Sequence, residues 1–162
     1  MRRADTNELI AGGNVIVSGV APGVFTSNYS GNGQAAVRNE NQSINSASNP
    51  ATIGSTISIC ATGQGQVSPV VADGAPAPGG QLARTVAVPT SDAQTCFATQ
   101  PSVCVAIGSA FGVIQYSGLA PGFVGLWQIN VTIPSGIATG NAVPIRVVID
   151  GTASNLVTIA VK

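Results

Sequence analysis

Apolar and polar residues alternate most clearly in the C-terminal part of the chain. Every second residue from Trp127 to Ile133 is apolar, a period-2 pattern that predicts a β-strand with one buried face. Residues 143–149 and 156–161 alternate in the same way and are joined through Asp150-Gly151. This dipeptide favours the type I′ turn of a β-hairpin. The pattern therefore predicts a hairpin between these two segments.

Weaker apolar runs lie upstream, each bounded by Gly, Pro or Ser clusters. They cover residues 56–60, 84–88, 103–107 and 113–116. Their spacing is typical of a β-sandwich, and no window carries the 3.6-residue stripe of an amphipathic helix. The sequence therefore predicts an all-β fold, an antiparallel β-sandwich.

The composition supports this prediction because most large apolar residues are β-branched. Val and Ile number 34 among 162 residues, whereas Leu numbers 5. Branched side chains fit a pleated, half-buried sheet and lose freedom in a helix. The 20 glycines and 10 prolines supply turns. The length suits one domain with a buried core, alone or with an extra segment.

Charge and histidine content weigh against several classes of function. Six basic and six acidic side chains balance to a formal net charge of +0, and they are scattered, so no basic patch for nucleic acid is predicted. The chain has no histidine, which removes the commonest general base and the imidazole metal ligand. We therefore predict a protein that is not an enzyme, with no cofactor, no metal site and no nucleic-acid partner.

Residues 93–145 carry no charge, which makes this stretch a candidate membrane segment. Glycine and proline interrupt every window of about 20 residues that a spanning helix needs. A buried sheet explains the stretch better, so no membrane span is predicted. The N-terminus lacks the apolar core of a signal peptide. Either the chain is not the complete precursor, or export uses another signal.

The three cysteines predict one disulfide. Cys96 and Cys104 flank a short proline-containing loop, and one hairpin-like turn can bring such a pair within bonding distance. A disulfide indicates an oxidising, extracellular compartment. Cys60 is then a free buried thiol or pairs elsewhere. The alternative is that all three are small buried apolar residues.

Two segments of the chain echo one another and carry a family resemblance. They are Val-Ala-Pro-Gly-Val-Phe at 20–25 and Leu-Ala-Pro-Gly-Phe-Val at 119–124, the second continuing through residues 125–134 and 143–159. This block resembles an uncharacterised C-terminal domain family that is abundant in acidobacterial secreted proteins and is similar to the IPT/TIG immunoglobulin-like domains. The resemblance implies an extracellular immunoglobulin-like β-sandwich with no known catalytic residue.

The resemblance also implies that the N-terminal segment contains an unpaired strand. In relatives of this kind, the Ala-Pro-Gly-Val-Phe segment follows the last strand of a preceding module. Residues 1–28 are accordingly predicted to be an N-terminal extension with this strand and a linker, and residues 29–162 to be the sandwich. The unpaired strand consists of Asn14, Val15, Ile16, Val17 and Ser18.

Such a strand needs a partner sheet for its backbone groups and for the apolar anchors Val15 and Val17. It either folds back on its own sandwich or adds to the sheet of another copy. Donation from each copy to the next is heterologous and builds a filament, so the leading hypothesis is an extracellular, pilus-like homopolymer.

The alternative is a carbohydrate-binding or adhesive module of a larger surface protein, with a glycan or another surface ligand as partner. Its stacking platform would use the aromatic side chains of Trp127, Tyr116, Tyr29 and Phe25. Trp127, however, is in phase with Ile129 and Val131, which favours a role in the core.

Overall fold

A computed structural model describes residues 5–7, 17–98 and 101–162 of the protein. Within these residues the chain forms twelve strands and one short helix. The strands are β1 Gly23–Val24, β2 Val37–Arg38, β3 Thr56–Thr62, β4 Val67–Ser68, β5 Arg84–Thr85, β6 Val88–Pro89, β7 Ser102–Ile107, β8 Ala110–Leu119, β9 Trp127–Thr132, β10 Gly140–Ile149, β11 Thr152–Ala153 and β12 Val157–Val161, and the helix is α1 Ala93–Ala98.

The strands form one curled sheet that folds over on itself into two layers. Strands β1 and β2 pair with β3, which continues through β9 to β8 and forms the first layer, together with β4 and β5. The second layer runs from β7 through β10 to β11 and β12. Strand β8 belongs to both layers, since its first residues pair with β7 and its remainder with β9. All named strand pairs are antiparallel except β6 with β7. The predicted all-β sandwich is confirmed.

Alternation along the long strands places their apolar side chains between the layers. In β9, Trp127, Ile129 and Val131 are buried while the intervening polar residues are partly exposed. Strand β3 buries Ile57 and Ile59 on its inner face. These side chains belong to one core cluster that also takes in β7, β10 and β12. Each large aliphatic side chain removed from water stabilises the fold by about 1.5–3 kcal/mol.

The predicted C-terminal hairpin is present, although its return strand is broken. Asp150 and Gly151 have φ of 48° and 73°, as a type I′ turn requires, and Ile149 pairs with Thr152. Ser154 interrupts the return strand between β11 and β12. Its Oγ accepts the Val147 N–H at 3.0 Å, so the side chain satisfies a backbone group where the ladder is interrupted.

The helix α1 was not predicted from the sequence, which shows no helical stripe. It has six residues, too few for a 3.6-residue period to appear. Its start is capped by Asp92, whose Oδ2 accepts both the backbone N–H and the hydroxyl of Thr95 at 2.7 Å. An aspartate cap of this kind satisfies backbone N–H groups that lack an intrahelical partner.

Strand β1 lies inside residues 1–28, which the sequence predicts to be an N-terminal extension. Gly23 and Val24 pair with Thr62 and Ala61 of β3, and the Val24 side chain belongs to the main core cluster. Residues 23–24 are therefore part of the sandwich. The strand leaves no alternating pattern in the sequence, because it has only two residues, the first of them a glycine without a side chain, and follows a proline that lacks a backbone donor.

Candidate assembly site at the two ends of the sandwich

The chain enters the sandwich at the end that carries the Asp150–Gly151 turn, which we call the entry end. The Ala21 N–H donates to the carbonyl oxygen of Gly63 at 3.0 Å. Gly63 has a φ of +79°, and a Cβ atom at this position would overlap the carbonyl of Ala21. Only glycine allows this approach, so the incoming backbone is fixed against the turn that follows β3.

The predicted assembly strand reaches the described part of the chain only at its last two residues. Asn14, Val15 and Ile16 lie outside the described residues. Val17 is 91% exposed, Ser18 is also exposed, and Val20 packs against the core cluster. An apolar β-branched side chain thus stands in solvent a few residues before the chain becomes part of the sandwich.

A cleft of about 510 Å³ opens beside the point of entry. Residues 18–20 form one of its walls, and the Asp150–Gly151 hairpin contributes another through Asp150 and Thr152. The remaining lining residues are Gln64, Gln66, Val86, Ala87 and Pro101. Residues 18–20 are therefore bordered by backbone turns and amide side chains, and Asp150 is the one charged residue among the described residues of the lining.

The C-terminal strand leads to the opposite end, which we call the exit end. Strand β10 runs from the exit end, where Gly140 pairs with Val161, to the entry end, where Ile149 pairs with Thr152. Strand β12 is antiparallel to β10 and therefore runs back toward the exit end. Lys162 is held there, its N–H donating to the Ala51 carbonyl at 2.8 Å. Val20 and Lys162 thus lie at opposite ends of the sandwich.

The edge of β12 that faces away from β10 is covered by three separate pieces of the same chain, and we call this row of contacts the seam. The first piece is residues 33–35, where the Ala35 N–H donates to Thr158 O and the Thr158 N–H donates to Gly33 O, each at 2.8 Å. The second is the side chain of Asn45, and the third is residues 51–53. The last strand of the fold is therefore paired along both edges.

Asn45 takes the place of a backbone residue in the seam. Its Oδ1 accepts the Ala160 N–H at 2.8 Å and its Nδ2 donates to the Ala160 carbonyl at 2.9 Å. Gln34 donates to Asn45 Oδ1, and Asn39 Oδ1 accepts from Asn45 Nδ2, each at 2.9 Å. The residue is 1% exposed, so water competes little for these bonds and each is strengthened by the low local dielectric.

Asn155 makes the reciprocal connection near the entry end. Its Oδ1 accepts the Val24 N–H at 2.7 Å, and its Nδ2 donates to the Val24 carbonyl at 3.0 Å and to the Gly31 carbonyl at 2.7 Å. Asn155 lies between β11 and β12 of the second layer and binds β1 of the first, whereas Asn45 follows β2 and binds β12. Two amide side chains thus fasten the layers together. Sequence reasoning missed both, because a single polar residue in a loop carries no periodic signal.

The predicted disulfide between Cys96 and Cys104 is present, with a Cα–Cα distance of 5.9 Å. It joins α1 to β7, so the connection is from helix to strand rather than the hairpin-like turn expected from the spacing. Both cysteines are fully buried and pack with Val148 and Phe111.

Cys60 is a free thiol on β3. Partial burial raises the pKa of the Cys60 thiol above its ordinary value, and the nearby Arg38 guanidinium opposes this shift. The thiol form is therefore favoured, which argues against a nucleophilic role.

The four aromatic residues considered as a stacking platform do not share one surface. Trp127 is fully buried and donates from Nε1 to Ser117 Oγ at 3.0 Å, as its phase with the core predicts. Tyr116 is also buried, its hydroxyl donating to the Leu119 carbonyl at 2.7 Å. Tyr29 and Phe25 are exposed, Tyr29 beside a shallow groove. The platform is therefore reduced to two side chains.

The described residues contain no group of three or more His, Cys, Asp or Glu side chains placed to hold a metal ion. They also contain no helix with the length and hydropathy required to cross a bilayer.

Comparisons with known proteins return no match: no protein-family model, no curated protein and no solved structure matches this chain.

Proposed function

We propose that this protein is a non-enzymatic extracellular structural module, and that residues 14–18 of one copy add as a β-strand to a neighbouring copy to form a filament. The observation that supports this most directly is Val17. Its apolar side chain is 91% exposed where the chain meets the entry end. Burial in a partner sheet would remove that apolar surface from water, a gain of about 1.5–3 kcal/mol for a fully buried valine.

The positions of Val20 and Lys162 support a head-to-tail arrangement. A strand that leaves from the entry end and binds elsewhere on the next copy makes a heterologous contact, and such contacts propagate into an open chain unless the rotation closes a ring. The seam restricts where this strand can bind. Because the outer edge of β12 is already paired, the donated strand adds to another sheet edge.

Surface chemistry is consistent with self-association in an oxidising compartment. Charged residues make up 7% of the chain and balance to +0, so contacts between copies need desolvate few charges, which is a large cost when charges are buried. Near-zero net charge itself promotes association. The disulfide is compatible with a location outside the cytoplasm.

The test is assembly of the full-length chain compared with a variant lacking residues 1–18, followed by electron microscopy and sedimentation. We expect the full-length chain to form fibres. The truncated chain should be monomeric and folded, because the seam and core contacts of the described residues are made from Val20 onward. Fibres from the truncated chain, or monomers from the full-length chain under all assembly conditions, would contradict strand donation.

Two matched double substitutions separate the apolar anchors from the rest of the segment. Val15→Thr with Val17→Thr keeps β-branched side chains of similar shape but adds a hydroxyl to each, and should reduce assembly at least tenfold. Val15→Ile with Val17→Ile retains the apolar character and should assemble normally. Equal assembly by the two variants would show that these side chains are not buried in the contact.

A further inference from the structure

We propose that the seam is a mechanical clamp, which keeps the domain folded when the chain is pulled between Val20 and Lys162. This inference goes beyond filament formation, because it concerns tension along the chain whatever the attachment at either end. It can be measured on a single copy and does not depend on assembly.

The direction of the terminal strands sets how tension acts. Strand β1 is antiparallel to β3, and β12 is antiparallel to β10, so β1 and β12 both run from the entry end to the exit end. Tension on Val20 draws β1 toward the entry end, and tension on Lys162 draws β12 out of the exit end. Each strand is therefore pulled along its own axis, in opposite directions.

Such a pull loads many hydrogen bonds together. Inter-strand bonds in an antiparallel pair lie perpendicular to the strands, so sliding β12 along its axis shears all of them at once instead of breaking them one by one. On its inner edge β12 is paired with β10 from Val157 to Val161. On its outer edge the seam is formed by hydrogen bonds of 2.8–3.1 Å from Thr158, Ala160 and Lys162 to residues 33–35, the Asn45 side chain and residues 51–53.

Asn45 is the central contact of the clamp. Both backbone groups of Ala160 bond to its amide, and the Ala160 carbonyl also accepts the Ala51 N–H at 3.0 Å. Gln34 and Asn39 hold the amide in orientation. Asn155 provides the same two-point grip on Val24 of β1. Each terminal strand is thus gripped by a buried or partly buried asparagine belonging to the other layer.

The experiment is single-molecule pulling of the full chain in two geometries. In a Cys60→Ser background, handles at Ser18→Cys and Lys162→Cys apply tension along β12. Handles at Thr139→Cys and Lys162→Cys act at one end, because Thr139 immediately precedes β10 and Gly140 pairs with Val161. This second pair unzips β10 from β12 one contact at a time. At equal loading rate, we expect the first geometry to require a several-fold higher force. Equal forces in the two geometries would overturn the clamp.

Variants test the role of the amide. With the Ser18/Lys162 handles, Asn45→Ala removes two hydrogen bonds to Ala160 and should accelerate unfolding under load about 10- to 100-fold. Asn130→Ala is the matched control, because Asn130 accepts from Ser58 and Gln128 in the first layer and does not contact β12. Similar unfolding rates under load for the two variants would show that the seam does not determine the resistance to mechanical unfolding, and would overturn the proposal.

Should Asn45→Ala fail to fold, Asn155→Ala tests the same idea at β1. We expect a comparable loss of resistance in the Ser18/Lys162 geometry and little change in the Thr139/Lys162 geometry, since Val24 is not on the unzipped pair. A loss of equal size in both geometries would indicate general destabilisation and would contradict the clamp.

Discussion

Asn45 and Asn155 each bind both backbone groups of one residue in the opposite layer through a side-chain amide, as a neighbouring strand would through a peptide group, and Asn155 also donates to the Gly31 carbonyl. An amide is suited to this because it offers one acceptor and one donor, with the spacing of a peptide. Aspartate has nearly the same shape but only acceptors when ionised. Substitution by aspartate therefore isolates the chemistry of the contact from its packing.

Asn45→Asp should destabilise the protein by about 3–5 kcal/mol at pH 7, because an uncompensated charge is then buried against the Ala160 carbonyl. Burial should raise the pKa of the introduced carboxyl above its unfolded value of about 3.9. The protonated group can donate to the carbonyl again, so stability should rise as the pH falls from 7 toward 5. Urea unfolding at several pH values measures this change.

Asn130→Asp is the control for that series. Asn130 is partly buried, and its Oδ1 accepts from Ser58 and Gln128, so a carboxylate can keep both bonds. The stability of the Asn130→Asp variant should not increase when the pH is lowered from 7 to 5. The same pH response in both aspartate variants would mean that the amide donor of Asn45 is unimportant.

Among the secondary-structure elements, length decides what could be predicted from the sequence. Strands β3, β7, β8, β9, β10 and β12 are long enough to show alternation or a sustained apolar run, and the sequence indicates each of them. Strands β1, β2, β4 and β11 have two residues each, which is too short for any period. The six-residue helix was missed for the same reason. The run predicted over residues 84–88 is divided into two such strands, β5 and β6, by a bend at residues 86–87. The pairing that places residues 33–35 and 51–53 along β12 is non-local and leaves no trace in either segment alone.

The disulfide cross-links the side chains of α1 and β7. Replacing Cys96 and Cys104 by alanine should lower the free energy of unfolding by about 2–3 kcal/mol, the chain-entropy value for so short a loop, given their sequence separation of 8. Urea unfolding with and without a reducing agent measures the effect. Reductant should destabilise the wild type and leave the double variant unchanged.

Cys60→Ser, which keeps the disulfide, should retain the response to reductant. Should the wild type and the alanine variant unfold at the same urea concentration without reductant, the disulfide would contribute no stability.

For the molecule as a whole, few groups connect stability to pH. The chain has no histidine, so we expect the free energy of unfolding to be flat between about pH 5 and 8. Burial raises the pKa of Cys60 from 9.0 and that of Tyr116 from 10.0. A group whose pKa is raised by folding stabilises the protein below its unfolded-state pKa, and this stabilisation is lost as the pH rises through its folded-state pKa. The free energy of unfolding should therefore fall above about pH 9.

At acidic pH, protonation of Asp92 should lower the free energy of unfolding. The pKa of this carboxyl is lowered from 3.8 by its hydrogen bonds to Thr95. A carboxyl whose pKa is lowered by folding stabilises the protein at pH values above its unfolded-state pKa. This stabilisation is lost as the pH falls through the folded-state pKa. Because Asp92 lies at the surface, the acid effect should be small. Urea titrations from pH 3 to 10.5 test both limbs, and Cys60→Ser should flatten the early part of the alkaline decline. A transition near pH 6.5 would contradict this account.

The antiparallel pairing of β10 with β12 also sets a fixed distance between the two ends of the domain. Strand β10 has ten residues and runs between the entry and exit ends, and at about 3.3 Å per residue it spans roughly 33 Å. Because Val20 and Lys162 lie at opposite ends of this span, each copy in the proposed head-to-tail filament would advance the axis by about this length plus the length of the connecting segment. The distance between equivalent surface groups on successive copies would then have a fixed contribution from strand length.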